Sequence, residues 1–281
     1  MTARLRRVAA WAGVALLLGA VLALGGWRLH GGRWVRVETA SMGTTAPVGS
    51  LLWVAPTRYA DLRKGDLITF TPPGHDRTYS HLVRSVEPDG TLRTQGRITA
   101  PDPWRLGPED VHGRVVMVWK GVGWLLLAAP VLLGGGLLVA ALATWFPDRA
   151  ARSSVALVGA ALVIVAALVV YRPLTRAEQL GFEQVNGGAR ATYVSTGLVP
   201  VRLRAQGGNA VVLRDGEVGS VLAPAQRRSE DQARFEVAVS PQLPLGWQAA
   251  LVGLCFVPVL VARSGGRGSR ARHRARQNPR S

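Results

Sequence analysis

GVGWLLLAAPVLLGGGLLVAALATWFP, residues 121–147, runs for 27 residues without an Asp, Glu, Lys or Arg. A hydrocarbon layer of about 30 Å needs roughly 20 helical residues, so this stretch is long enough to cross one. Pro130 should kink the helix, and Trp124 and Trp145 stand near its ends, where amphipathic rings favour the membrane interface. Three further uncharged runs occupy residues 8–27, between Arg7 and Arg28, residues 153–171, and residues 245–262, the last containing Gln248 and Pro258. One such run also fits a buried helix of a soluble core; four in one chain do not. Residues 8–27, preceded by Arg4, Arg6 and Arg7, also have the outline of a secretory leader. The apolar stretch is longer than a leader needs, and no clean Ala-x-Ala site follows it. The expected fold class is a multi-pass membrane protein with four transmembrane helices and folded β-rich segments between them.

The net charge of +17 raises the question of a nucleic-acid partner, which the distribution of charge answers better than its size. Residues 1–7, the short loop 148–152 and the tail 263–281 together hold 12 basic residues and one acid. The long segments 28–120 and 172–236 hold 13 basic against 9 acidic and 9 against 7. Most of the excess therefore sits in three short segments that alternate with two nearly balanced long ones, the positive-inside pattern for four spans. Both termini are expected in the cytoplasm, with 28–120 and 172–244 outside it, in a cell membrane. The arginine-rich tail reads as a disordered topology signal beside anionic headgroups rather than a nucleic-acid site. Cys255, the single cysteine, lies in the last apolar run, which excludes intrachain disulfides and multi-cysteine metal sites. No cofactor or metal is expected.

Segment 28–120 alternates short apolar strands with turn signals: Gly49-Ser50 before residues 51–54, Lys64-Gly65-Asp66 before 67–70, and Pro88-Asp89-Gly90 before 91–93. It predicts a small all-β domain. Segment 172–244 predicts a second, accessory β module, with strands at 191–194, 199–204, 209–214 and 234–239 and Asp215-Gly216 as a hairpin turn. That module contains no histidine and no nucleophile-and-base set.

The chemistry-bearing residues lie in the first β segment. A serine attacks at neutral pH only with a base to take its proton and donors to hold the oxyanion. Ser41 lies 14 residues past the first apolar run, His81 falls in a strand pattern that puts it on one face with Val83, and Asp102 is available to orient an imidazole. Lys64 is an alternative base, in the manner of a Ser-Lys dyad, and His75 and His112 are alternative histidines.

The order and wording of these segments resemble the His-containing class of type I signal peptidases, found in archaea, the endoplasmic reticulum and some Gram-positive bacteria. That family writes Ser-Gly-Ser-Met-x-Pro-Thr, an apolar strand entered through Gly-Ser or Gly-Asp, Gly-Asp-x-Ile-x-Phe, Thr-His-Arg-Val, and a Thr-Lys-Gly-Asp-Asn-Asn…Asp-Pro box. Here the corresponding residues are Thr39-Ala40-Ser41-Met42-Gly43-Thr44-Thr45, Val48-Gly49-Ser50-Leu51-Leu52-Trp53-Val54, Lys64-Gly65-Asp66-Leu67-Ile68-Thr69-Phe70, Ser80-His81-Leu82-Val83, and Thr94-Gln95-Gly96-Arg97 with Pro101-Asp102-Pro103. The resemblance covers about residues 8–125. It implies a serine endopeptidase acting on signal peptides, with Ser41 as nucleophile, His81 as general base and then acid, and Asp102 holding the imidazole tautomer. The oxyanion hole would be the Ser41 backbone N–H and the Thr39 hydroxyl. Thr44 stands where the family writes proline, and Arg97 where it writes aspartate. Those two positions motivate the competing reading, an inactive membrane scaffold whose β modules bind partners. A transporter or channel is disfavoured, because no charged residue interrupts any of the four runs.

Overall fold

A computed structural model describes residues 22–186, 188–224 and 237–243, with isolated positions at 11, 12, 15, 18, 19, 245, 246, 248, 249 and 253. Most of the first and fourth apolar runs, Cys255 and the arginine-rich tail lie outside the described residues. Residues 22–29, at the end of the first run, are helical. The chain divides into two compact units, residues 1–123 and 124–281.

The first unit is built on one antiparallel sheet of six strands: β1 (Arg33–Arg36), β2 (Leu51–Ala55), β3 (Leu67–Phe70), β4 (Tyr79–Val86), β5 (Leu92–Gln95) and β6 (Val111–Trp119). Their order is β1-β2-β6-β3-β4-β5, so β1 and β5 are the edges. Alternation sends neighbouring side chains to opposite faces. Leu67 and its cross-strand partner Leu82 pack with Val37, Met42, Ala46, Leu52 and Val54, whereas Ile68 and Val83, next in each strand, pack with Leu62, Phe70, Leu92 and Leu106. The register shifts at Trp53/Val54, Thr69/Phe70 and Val83/Ser85, where the regular pairing is interrupted. The sheet therefore supports two apolar clusters instead of one, and Ser41 and His81 lie where the turn after β1 meets β4.

In the second unit, α1 (Val122–Thr144) and α2 (Arg149–Tyr171) are each 23 residues, about 35 Å at 1.5 Å per residue, and both are long and apolar enough to cross a membrane. Leu125, Leu133, Leu137, Leu162, Ile164 and Val169 are exposed, the reverse of a soluble core helix. Asp148 caps α2, its carboxylate accepting from the Ala151 N–H at 2.9 Å. Within the pair, Gly135 receives Val163, whose methyls lie 2.7 Å from where a Cβ would stand, and Gly159 receives Val139 at 2.6 Å. Small residues of this kind let membrane helices approach closely.

The remaining strands of this unit are β7 (Ala177–Val185), β8 (Gly188–Ser195), β9 (Val201–Ala205), β10 (Ala210–Leu213), β11 (Val218–Pro224) and β12 (Val237–Pro241). They form two three-stranded sheets, β10-β9-β12 and β11-β8-β7. Val201, Leu203, Ala205 and Leu213 from one sheet share a core with Ala191, Val221 and Ala223 from the other. The expected Asp215-Gly216 hairpin is corrected here. The turn exists, with Gly216 at φ 76°, but β10 pairs with β9 and β11 with β8, so the turn carries the chain from one sheet to the other. The inward residues Leu213 and Val221 on either side of it serve one core from two sheets, which requires a crossing at this point.

Candidate active site

Ser41 sits in a single 3-10 turn, Ala40–Met42, whose flanking residues Ala40 and Met42 are both buried and anchor it. Gly43 closes the turn at φ 50°, its N–H donating to the Ala40 carbonyl at 2.8 Å, and the Thr45 N–H donates to the Met42 carbonyl at 3.1 Å. A positive φ is costly for residues with a Cβ, so Gly43 shapes the bend that presents the serine, one residue before Thr44. On the other side the Ser41 carbonyl accepts from the Ile98 N–H at 3.0 Å, which ties the turn to the loop after β5.

His81 is only 5% exposed and pairs with Ile68 across β3 and β4. The rings of Phe70 and Tyr79 each lie 6.1 Å from its imidazole, fixing the plane. Its Nε2 is 2.9 Å from Ser41 Oγ and its Nδ1 2.7 Å from Asp102 Oδ2. Asp102 is held in turn: its N–H donates to the Thr94 carbonyl at 3.0 Å, and the Thr94 hydroxyl donates to Oδ2 at 2.6 Å. With the carboxylate acting as acceptor, this geometry lets Nδ1–H donate to Oδ2 and Nε2 accept from the Ser41 hydroxyl. Residues 40 and 21 apart in sequence thus form one continuous hydrogen-bond chain with the geometry of a nucleophile, its base and the group that orients the base. Thr39 Oγ1 lies 3.4 Å from Ser41 Oγ, within reach of an oxyanion forming beside the serine.

The other sequence candidates lie elsewhere. Lys64 is exposed in the turn before β3, with no hydrogen bond to Ser41; the position facing Ser41 Oγ is taken by His81. His75 is exposed, its ring 5.7 Å from that of Trp104. His112 lies on β6, with Nε2 2.8 Å from the Thr71 hydroxyl. Burial, followed by the charge of Arg33, pushes His112 below the ordinary value of 6.5. The unfolded chain therefore binds this proton at a higher pH than the folded one, and His112 subtracts stability as the pH falls through that value toward the lower folded one. Replacing His112 by Gln should flatten the acid loss of thermal stability between about pH 7 and pH 5, read as the unfolding midpoint across that range. An unchanged slope would remove His112 from the account.

Gly96, Thr94 and Trp104 were not assigned roles by sequence reasoning. Arg97 is exposed, and it is Gly96 that faces Ser41. A Cβ on Gly96 would press on Thr99 Oγ1 and stand 2.8 Å from the Ser41 carbonyl oxygen and 3.1 Å from Ser41 Cβ. Gly96→Ala should therefore displace Ser41, cost about a hundredfold in Ser41 acylation, the penalty of a misplacement on the order of 1 Å, and lower stability by about 1–3 kcal/mol, read as the unfolding midpoint. The signal was a glycine without an adjacent turn former, which marks close backbone approach.

Beside Ser41 lies an open cleft of about 680 Å³, lined in succession by residues 34–39 at the edge of the sheet and by Tyr79 and His81 from β4. Among the described residues β1 pairs only with β2, which leaves its outer edge open within the sheet. In comparison with known proteins, the chain matches no family model and no curated sequence.

Proposed function

We propose that this chain is a membrane-bound serine endopeptidase that cleaves signal peptides from exported or membrane-inserted precursors. The observation that carries it is the unbroken run from Ser41 Oγ through the His81 imidazole to the Asp102 carboxylate, at 2.9 and 2.7 Å. His81 takes the Ser41 proton as Oγ attacks the scissile carbonyl, and later returns it to the leaving amine. The Ser41 N–H and the Thr39 hydroxyl hold the oxyanion. The cleft along β1 suits an extended peptide, which would add its backbone hydrogen bonds to the open edge.

On this reading the chain crosses a cell membrane four times, with both termini in the cytoplasm and residues 28–120 and 172–244 outside it; the distribution of arginines and the two long apolar helices support it. The partners are the signal peptides of precursors and the bilayer, not nucleic acid. A cluster of indoles supports a position at the membrane surface. Trp27, at the end of the first apolar run, packs on Trp53 at 5.3 Å, and Trp53 packs on Trp34 and on Trp119, three residues before Val122, at 5.8 and 5.0 Å. Trp119 and Met117 are 41% and 50% exposed, and exposed indoles concentrate at membrane interfaces.

The test is labelling of the full-length chain in detergent with a fluorophosphonate probe, the modified residue being located by mass spectrometry. Adduct on Ser41 is expected. A chain that takes no label favours the second reading, motivated by Arg97 and Thr44, of an inactive scaffold with partner-binding β modules.

A further inference from the structure

We infer that Thr94 and Trp104 form the outer half of this site, a hydrogen-bond relay of fixed polarity that keeps Asp102 an acceptor and His81 in its Nδ1–H tautomer. Trp104 Nε1 donates to Thr94 Oγ1 at 3.2 Å, and Thr94 Oγ1 donates to Asp102 Oδ2 at 2.6 Å. An indole N–H can only donate. Because Thr94 accepts from Trp104, the single hydroxyl proton has one remaining use, and it points at Oδ2. The same oxygen receives the His81 Nδ1 proton at 2.7 Å, so two donors converge on it. With both donors aimed at it, Oδ2 serves as an acceptor, and the imidazole cannot turn over without taking one of the two donors away.

Burial makes the arrangement consequential. Thr94 is fully buried, the side chains of His81 and Asp102 are 6% and 8% exposed, and water does not compete for these groups. Trp104 is fixed from outside by the rings of Tyr79 at 5.2 Å and Phe70 at 6.2 Å. Phe70 and Tyr79 also flank the His81 imidazole, so one aromatic cluster sets both ends of the relay. Thr94 and Trp104 are positioning residues: they act on the nucleophile through Asp102 and His81. The consequence for rate rests on the peptidase reading; the tautomer does not.

The test uses the full-length chain in detergent micelles with ¹⁵N-histidine, the His81 signals being assigned by their loss in His81→Gln. In the neutral ring, wild type should show one tautomer with a strongly downfield Nδ1–H resonance. Thr94→Val, which keeps the shape and removes the hydroxyl, should lose that resonance, mix the tautomers and slow fluorophosphonate labelling of Ser41 about tenfold or more, the worth of a hydrogen bond to a charged group. Thr94→Ser should restore both. Trp104→Phe, which frees the hydroxyl to rotate, should change the spectrum in the same direction by less. A Thr94→Val chain that keeps the single tautomer, or Val and Ser variants that fall alike, overturns the relay. Should Thr94→Val fail to fold, Trp104→Phe decides, and wild-type His81 signals there overturn it too. A wild type that takes no label removes the peptidase reading, while the tautomer measurement still judges the relay.

Discussion

Replacing Ser41 by alanine should slow cleavage of a precursor by roughly 10⁶-fold, close to the loss seen when the nucleophile of an unrelated serine peptidase is removed. Among the described residues Ser41 makes side-chain hydrogen bonds only to His81 and Thr39, and its backbone tie to Ile98 survives the change, so folding should be untouched. What remains is a residual rate from substrate placement and the oxyanion donors, on the order of 10³-fold over water. The measurement is the conversion of precursor to mature form in vesicles carrying wild-type or variant chain. Equal conversion by the two would end the peptidase reading and leave the scaffold.

Asp102→Asn should cost up to about 10⁴-fold in the same assay. In this site Nδ1 and the Thr94 hydroxyl both donate to one oxygen, so an asparagine keeps both bonds only by placing its carbonyl oxygen there. Even in that orientation it has lost the negative charge that stabilises the imidazolium formed during attack. In the other orientation its NH₂ meets two donors, and the imidazole is driven into the wrong tautomer. Both routes slow proton transfer and leave peptide binding in the cleft alone, so kcat should fall while KM changes little. Wild-type kcat in this variant would place the orienting group elsewhere.

How much of this was legible in the sequence depended on local signals. β3 reads off directly, because Lys64-Gly65-Asp66 marks the turn and residues 67–70 are apolar and β-prone. β6 does not, since Gly113 and Arg114 interrupt its apolar pattern and its partners β2 and β3 are distant in sequence. β7 has exposed residues on both faces and gives no alternation to read. α2 begins four residues before the expected run, at Arg149, because the Asp148 cap starts the helix while the hydropathy begins later. At the site, the three residues were nameable from order and wording. Their convergence was not, because it depends on the β4–β5 register and on a bridge between Gln95 and Pro101 that folds the loop back and returns Asp102 to Thr94. Thr94 and Trp104 were invisible for the same reason: a buried threonine and a half-buried tryptophan look like ordinary packing until their polar atoms are seen to meet.

The two helices of the second unit spell the same word, Gly-x-x-x-Val, at residues 135–139 and 159–163, and run antiparallel, so each supplies the key for the other's slot. A word that fits its own inverse is self-complementary. Two copies of the chain exchanging one helix would keep every key in a slot, and nothing in the packing itself distinguishes the exchanged pair from the internal one. What distinguishes them is the four-residue link 145–148, which makes the internal pairing intramolecular, at an effective concentration on the order of millimolar. Intrachain pairing is thus selected by tether length rather than by recognition, and lengthening that loop would loosen the selection without altering a single contact.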